Sequence, residues 1–419
     1  MENIIFFIKK RSNFIIYAIL KVLTMALSLV ANILVVRQLS VTDYGVFSIV
    51  SMLLGLITTF GFSWSSSSIL YYGSKEKSLY GTLNKTFWAR NIIIFFSLIL
   101  TTILFILFDS QINRYIGIDV SYFLLIWLYI SVLENYLSQY FLAVKKQLRS
   151  VMLSATAKLV YILLILLISF DVKTLIILNI ISHVIVVLYI FGIDRKDIGK
   201  FEFDKSWFKQ VLNFSLWQLF GFSGLYLINY GDIAVINHFM TKEDVGIYNV
   251  AYQLFMAISS FAFVISDFYA SNVSMYVAKN KKKQLRSFFY KERWYINALS
   301  IIAHIVIIVM AEFIITILYG ERYTESVQIF RILMIGSIFR YLSVFYMLYY
   351  NTNNKHKVLQ AVNIARALLN VLLSIVFILF FGLTGVAVGT VAAILISLLF
   401  SVWYCEKRIF VLCGGKESV

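Results

Sequence analysis

The chain of 419 residues contains no proline and only two cysteines. Without proline, no helix is kinked by a missing N–H and a ring clash, so any bend has to come from glycine and serine. The cysteines, Cys405 and Cys413, stand near the C-terminus and make no disulfide framework. Charge is scarce too: 14% of residues are Asp, Glu, Lys or Arg against 61% apolar, which excludes an ordinary water-soluble domain. Walker A loops, Gly-rich dinucleotide loops, paired-His zinc motifs and Cys clusters are missing from the sequence. An ATP-driven pump is therefore not expected, and any energy source is an ion gradient (H+ or Na+), the membrane potential or the substrate's own gradient. His183, His238, His304 and His356 are scattered over different segments, so neither a metal site nor another cofactor is expected. The longest inner connections, 194 to 208 and 276 to 292, hold roughly 15 to 17 residues, too few for a catalytic fold.

What is present is a repeat. Leu39-Ser40-Val41-Thr42-Asp43-Tyr44-Gly45-Val46-Phe47 returns as Met240-Thr241-Lys242-Glu243-Asp244-Val245-Gly246-Ile247-Tyr248, an offset of 201 residues, each copy ending one long apolar helix and opening the next. The register continues through Leu53/Leu254, Ile57/Ile258, Phe60/Phe261, Phe62/Phe263 and Ser65/Ser266, and later through Tyr136-Leu137-Ser138 and Tyr341-Leu342-Ser343. The chain reads as two copies of one membrane unit, residues 1–200 and 201–419.

Near-continuous apolar runs of membrane-crossing length predict an all-α polytopic membrane protein. Twelve transmembrane helices are expected, at 12 to 36, 44 to 70, 87 to 108, 120 to 143, 150 to 170, 174 to 193, 209 to 238, 245 to 275, 293 to 318, 327 to 350, 358 to 381 and 383 to 404. They form two six-helix bundles, parallel repeats around a central cavity. Phe381-Gly382-Leu383-Thr384-Gly385 is the turn signal between the last two spans. Lys9-Lys10-Arg11 begins a run too long for a signal peptide and interrupted by Lys21, so it is expected to lead into the first helix. Of 37 Lys and Arg, five stand in outer loops (Arg37, Arg114, Lys173, Lys242 and Arg322) when both termini are cytoplasmic. The net charge of +16 thus expresses topology rather than nucleic-acid binding.

Ionisable residues inside the membrane are costly unless they face a partner or water. Eight stand out: Lys21, Glu134, Lys158, Asp232, Asp267, Glu312, Arg340 and Arg366. Lys158 and Arg366 are repeat equivalents, open both to snorkelling toward the cytoplasmic surface and to a symmetric placement around the cavity. Tyr17, Lys21, Thr24, Ser28 and Asn32 make one polar stripe on the first helix, and Gln218, Asn229 and Asp232 another on the seventh. Either stripe serves as polar glue between helices or as the wall of a hydrated cavity; a charge in each favours the cavity. Glu134 and Arg340 fall within one residue of equivalence at mid-span and are expected to pair, structurally or as a switch. Asp267 and Glu312 are placed at opposite rims. Trp88, Trp207, Trp294 and Trp403 are expected as interface anchors.

Arg37-Gln38-Leu39-Ser40 followed by Asp43-Tyr44-Gly45-Val46-Phe47 resembles the hallmark after the first helix of the Wzx-type polysaccharide-unit flippases. These form the polysaccharide transport family within the multidrug/oligosaccharidyl-lipid/polysaccharide (MOP) superfamily. Asp232 with Asp244-Val245-Gly246-Ile247-Tyr248, Leu318-Tyr319-Gly320 with Tyr323, and Gly382-x-x-Gly385-Val386-Ala387 are similar features that extend the resemblance over most of the chain. The resemblance implies a flippase rather than an enzyme, moving an undecaprenyl-pyrophosphate-linked oligosaccharide (an O-antigen or other surface-polysaccharide unit) across the bacterial inner membrane by alternating access. Membrane lipids and a polysaccharide polymerase would be its partners. Lys21, Arg340, Lys158 and Arg366 would hold the pyrophosphate, Tyr17, Thr24, Ser28, Asn32, Gln218 and Asn229 would line the cavity, and Glu134, Asp232 and Asp267 would couple or gate. The chain departs from relatives in lacking the helix-bending prolines frequent among them. Three alternatives stay open. A drug or cation antiporter of the same superfamily would have an acid-dominated, aromatic cavity. A lipid II flippase usually has fourteen helices. A polysaccharide polymerase or ligase carries a long outer loop with catalytic Arg or His, which no outer connection here provides.

Overall fold

A computed structural model describes residues 2–144, 146–193, 201–353 and 355–414, with side chains described at all of these except 2–15, 17, 18, 189–193, 267, 271 and 356. The chain is a succession of helices: α1 (Glu2–Gln38), α2 (Val41–Ile57), α3 (Ser74–Tyr80), α4 (Asn84–Leu107), α5 (Asp109–Ile116), α6 (Ser121–Ala143), α7 (Gln147–Leu167), α8 (Val172–Ile193), α9 (Lys205–Phe239), α10 (Lys242–Ala278), α11 (Lys282–Ser287), α12 (Arg293–Val309), α13 (Ala311–Tyr319), α14 (Ser326–Thr352) and α15 (His356–Leu412). Among the described residues, nine helical segments are long and apolar enough to cross a membrane, ten with the bent pair α5–α6. Val172–Leu188 is a shorter apolar helix. The chain is a multi-pass membrane protein.

The repeated motif proves to be a helix break with a cap. Ser40 precedes α2 and its hydroxyl accepts from the Asp43 N–H at 3.0 Å. Two hundred and one residues on, Thr241 precedes α10 in the same way, accepting from the Asp244 N–H at 3.2 Å while the Asp244 carboxylate accepts from the Thr241 N–H at 3.0 Å. A hydroxyl and a carboxylate three residues apart satisfy the orphan amides of a helix start reciprocally. That requirement explains the recurrence of Ser/Thr-x-x-Asp.

One interruption of the regular helix falls in a segment rich in glycine and serine. After α2 the chain runs through π turns at Thr58–Phe62 and Ile69–Gly73 and a 3₁₀ turn at Ser63–Ser65. The Ser65 and Ser68 hydroxyls donate to the carbonyls of Phe62 and Ser65 at 2.9 and 2.6 Å, bonds that compete with the helical ladder.

α15 holds 57 residues, at ~1.5 Å each more than twice the ~30 Å hydrocarbon core. It is two arms broken at Gly382, whose φ of 58° and ψ of −140° lie outside the helical range. The reversal lays the arms side by side: a Cβ at Gly385 would stand 2.1 Å from the Phe377 carbonyl oxygen, and one at Gly389 would stand 2.8 Å from the Ser374 nitrogen. Gly385→Ala should therefore force the arms apart and lower the unfolding midpoint of the purified protein, an overpacking cost of about 1–3 kcal/mol or more. Gly61→Ala, where a methyl meets only Thr101 at 3.8 Å, is the control; equal midpoints in the two variants would contradict the packing.

Packing divides the chain into two compact units, Met1–Ser223 and Gly224–Val419. The boundary falls inside α9 because its first turns belong to the N-terminal unit. Trp207 and Val211 are buried against Ala89 and Ile93, and Trp207 Nε1 donates to Thr86 Oγ1 at 2.9 Å. Trp207 is thus a core residue, not the membrane-interface anchor expected from the sequence; Trp294 and Trp403 are 57% and 74% exposed, as an anchor requires. Asp204 caps α9, and the Trp207 N–H, then Lys85 at 3.1 Å, holds its carboxyl below the ordinary carboxylate range. In the C-terminal unit α14 runs along α10 and α15, and Phe288, Phe289, Phe345, Tyr350, Cys405 and Ile409 form a buried cluster.

Candidate functional site

In the C-terminal unit, polar side chains recur at helical spacing on segments that face each other. The first arm of α15 carries Arg366, Asn370 and Ser374, four residues apart and so on one face. α10 carries Tyr248, Tyr252 and Phe255, α9 carries Ile228 and Asp232, and the second arm of α15 carries Thr390, Ala393 and Ile394. Close approach of α9 to the first arm is set by small residues: a Cβ at Gly231 would meet Val371 at 2.8 Å, and one at Gly224 would meet Ile364 at 3.4 Å. Both pairs are 140 residues apart, so the two segments run parallel. This seam brings Asp232 to Asn370 and Ser374.

Asp232, 3% exposed, accepts four hydrogen bonds: from Tyr248 Oη at 2.6 Å and Thr390 Oγ1 at 2.8 Å on one oxygen, and from Asn370 Nδ2 at 3.0 Å and Ser374 Oγ at 3.1 Å on the other. Four donors satisfy the lone pairs of a carboxyl group that has been taken out of water. The donors come from α10 and both arms of α15, so the charge ties four helical segments together. Asn370 Oδ1 is buried without a hydrogen-bond partner beside it, and Thr390 Oγ1 also reaches the Val386 carbonyl at 3.2 Å.

Beside this network lies a small, partly open cavity lined by Ile228, Tyr252, Phe255, Arg340, Arg366, Asn370, Thr390, Ala393 and Ile394. Arg340 is held by soft neutral groups: Nη1 lies 3.3 Å from the Met256 sulfur, and the guanidinium stands over the Phe255 ring at 5.3 Å. Arg340 and Arg366 are close enough for their charges to oppose each other. Tyr252, which donates to the Ile228 carbonyl, feels both arginines and Asp232. The cavity wall thus carries two cations, while the carboxylate is enclosed behind it. Two like charges at membrane depth are stabilised by an anion that spans both, and guanidinium groups offer paired N–H donors matched to phosphoryl oxygens. Among the described residues no cluster of three His, Cys, Asp or Glu occurs. For a monovalent cation, the oxygens of Asp232, Asn370, Ser374 and Thr390 converge.

The other residues expected at the site are distributed differently. Lys21 is exposed on α1. Thr24 and Ser28 donate to the Leu20 and Thr24 carbonyls of their own helix at 2.7 and 3.0 Å. Asn32 donates to Tyr44 Oη at 3.0 Å, joining α1 to α2, the polar-glue role rather than an open wall. Gln218 and Asn229 are half-buried on α9, in the N-terminal and C-terminal units respectively. The side chains of Tyr17 and Asp267 lie outside the described ones. Glu312 is exposed, 3.8 Å from Arg331. Glu134, expected opposite Arg340, has its partner within the N-terminal unit: it pairs with His183. Lys158, half-buried, stands over the Tyr161 ring at 6.0 Å. Asn370, Ser374 and Thr390 were not expected at the site, and Tyr248 was singled out only within the repeated motif, although the four-residue spacing of Arg366, Asn370 and Ser374 is legible in the chain.

Residues 34–328 match the sequence profile of the family described as Polysaccharide biosynthesis protein. The chain is similar to the probable low-salt glycan biosynthesis flippase Agl15 of Haloferax volcanii, 23% identical over 385 residues, covering 88% of this chain and 78% of that protein. Its fold is that of the lipid II flippase MurJ in an inward closed conformation, with a TM-score of 0.72 at 18% identity over 95% of this chain and 89% of that one. It is equally that of an inward-facing multidrug resistance MATE family transporter of the MOP superfamily, with a TM-score of 0.73 at 15% identity over 93% and 95%. With its profile match covering well over half of the sequence, the chain belongs to the Polysaccharide biosynthesis protein family, and its fold is similar to that of these two proteins.

Proposed function

We propose that the protein is a flippase for a lipid-linked glycan precursor, an undecaprenyl-pyrophosphate-linked oligosaccharide, moved across the bacterial plasma membrane for surface-polysaccharide assembly by alternating access. The observation that carries this reading is the pair of guanidinium groups, Arg340 and Arg366, on the wall of one cavity at membrane depth. A cation or drug antiporter of the same fold needs exposed acid in its cavity; here Asp232 is enclosed by four donors and two cations face the space. The similarity to a glycan flippase and the family of polysaccharide biosynthesis proteins support the same choice.

We infer that Asp232 is the coupling group. Its hydroxyl neighbours can rotate to present lone pairs, and Asn370 Oδ1 supplies a further oxygen, a set suited to Na+ and, with the carboxylate alone, to H+. The binding half of the proposal is tested on purified protein with a fluorescent undecaprenyl-pyrophosphate glycan. Arg340→Gln and Arg366→Gln should each weaken binding about tenfold or more, the loss of a charged hydrogen bond of ~1.5–3 kcal/mol. Unaltered affinity in both would overturn cationic capture.

The orientation proposed has both termini cytoplasmic. A reporter active only outside the cytoplasm should be silent when fused at Lys282 and active at Arg114, Lys242 and Arg322. The reverse pattern at Lys282 and Lys242 would contradict it.

A further inference from the structure

In the N-terminal unit two ionisable side chains meet and a third lies within reach of their charge. Glu134 lies in the middle of α6, Lys158 in the middle of α7 and His183 in the middle of α8, three consecutive helices packed on one another. His183 Nδ1 is paired with Glu134 Oε2, their side chains 13% and 14% exposed. Lys158 feels the charge of Glu134 while its ammonium rests over the Tyr161 ring at 6.0 Å. One carboxylate therefore faces two potential cations, of which only the imidazole changes charge readily in the physiological range. Among the described side chains, α1, along α7, carries Lys21 and Arg37, and α2, against α6 and α8, carries Asp43 in its first turn. Arg90 of α4 stands over Tyr136 at 4.7 Å, two residues beyond Glu134 and so on the far side of α6.

We propose that Glu134, His183 and Lys158 form a proton-operated anion site. With His183 neutral, its Nδ1 rests against Glu134 without adding charge, and the cation that feels the carboxylate is Lys158. When the ring takes up a proton from water, the imidazolium balances Glu134 in place, and Lys158 becomes an uncompensated cation at membrane depth. Such a charge is stabilised by an anion. One proton bound thus adds one positive charge to the cluster and makes one lysine available to a phosphoryl group. Lys158 is the repeat equivalent of Arg366, which lines the cavity of the C-terminal unit. In the N-terminal unit the corresponding cation is masked by a carboxylate, and the proton unmasks it. Only the anion half of this inference rests on the flippase reading; the competition for Glu134 does not.

The test is the imidazole ¹⁵N spectrum of the whole protein in lipid nanodiscs at fixed neutral pH. The chain has four histidines, so His183→Gln assigns the signal by its disappearance. Glu134→Gln should lower the imidazolium fraction of His183 severalfold, and Lys158→Gln should raise it. If Glu134→Gln does not accumulate, Lys158→Gln carries the test alone, with its sign opposite to that of simple structural damage. An imidazolium fraction unmoved by Lys158→Gln would overturn the competition. Because linkage is reciprocal, adding inorganic pyrophosphate should raise the imidazolium fraction in the parent protein and leave it unmoved in Lys158→Gln. Equal responses of the two would overturn the anion half while leaving the arginine cavity untouched.

Discussion

Replacing Arg340 and Arg366 together with glutamine should abolish surface-polysaccharide export in a strain that depends on this protein, while the variant accumulates in the membrane at the parental level. Both guanidiniums face the cavity, and their mutual repulsion is a standing cost that an anion offsets. Removing the charges relieves that cost, so stability should not suffer, whereas the anion loses every charged donor on the cavity wall. The single substitutions should each lower export about tenfold or more, as expected for loss of a charged hydrogen bond of ~1.5–3 kcal/mol. Arg340→Lys and Arg366→Lys should recover part of it, because a point charge replaces the paired donors without their geometry. Export at the parental level from the double variant would remove the arginines from the transport path.

Asp232→Ala should be the most damaging single substitution in the C-terminal unit. Three donors, Tyr248, Asn370 and Ser374, would lose their Asp232 acceptor at once, while Thr390 keeps the Val386 carbonyl. A buried donor without an acceptor costs about 1–3 kcal/mol, so the sum is a large fraction of a typical domain's stability, and the protein should fail to accumulate. Asp232→Asn keeps the shape and one acceptor oxygen. It should accumulate better than the alanine variant and yet lose any response of transport to an imposed Na+ or H+ gradient. Abundance and thermal unfolding of the purified variants separate the two effects. Equal abundance of Asp232→Ala and the parent would show that the network does not hold these helices together.

Much of the architecture was legible because its signals are local or repeated. Apolar runs of bilayer length place the helices, and the Ser40/Thr241 motif is a helix cap whose chemistry allows few residue types. The turn at Gly382 was readable as the interruption of an uncharged run, whereas the π and 3₁₀ turns within 58–73 lie inside what read as one span, 44 to 70. The resemblance drawn from residues 37–47 and their repeat agrees with the family match.

The site was legible only in part. Arg340, Arg366 and Asp232 announce themselves because charge within a membrane helix is expensive. Their partners do not: Asn370, Ser374 and Thr390 are uncharged, cheap in a helix, and gain meaning only when the seam between Gly231 and Val371 brings α9 against α15. The stripe on α1 misled for the related reason that Thr24 and Ser28 satisfy their hydroxyls on their own helix, so a polar face need not be a wet one. The expected pairing of Glu134 with Arg340 rested on repeat symmetry, and symmetry of backbone does not extend to charge: His183 meets Glu134 inside its own unit.

The central claim is that the protein moves an anionic lipid-linked glycan and that the arginine cavity holds its phosphoryl group. The most direct measurement is translocation in proteoliposomes, with a fluorescent undecaprenyl-pyrophosphate glycan in both leaflets and a membrane-impermeant quencher outside. The parent protein should expose the inner-leaflet pool to the quencher with time, and the Arg340→Gln/Arg366→Gln variant should leave that pool protected, as in protein-free liposomes. Protection of the inner pool by the parent protein, or its equal loss in the parent and the double variant, would contradict the account.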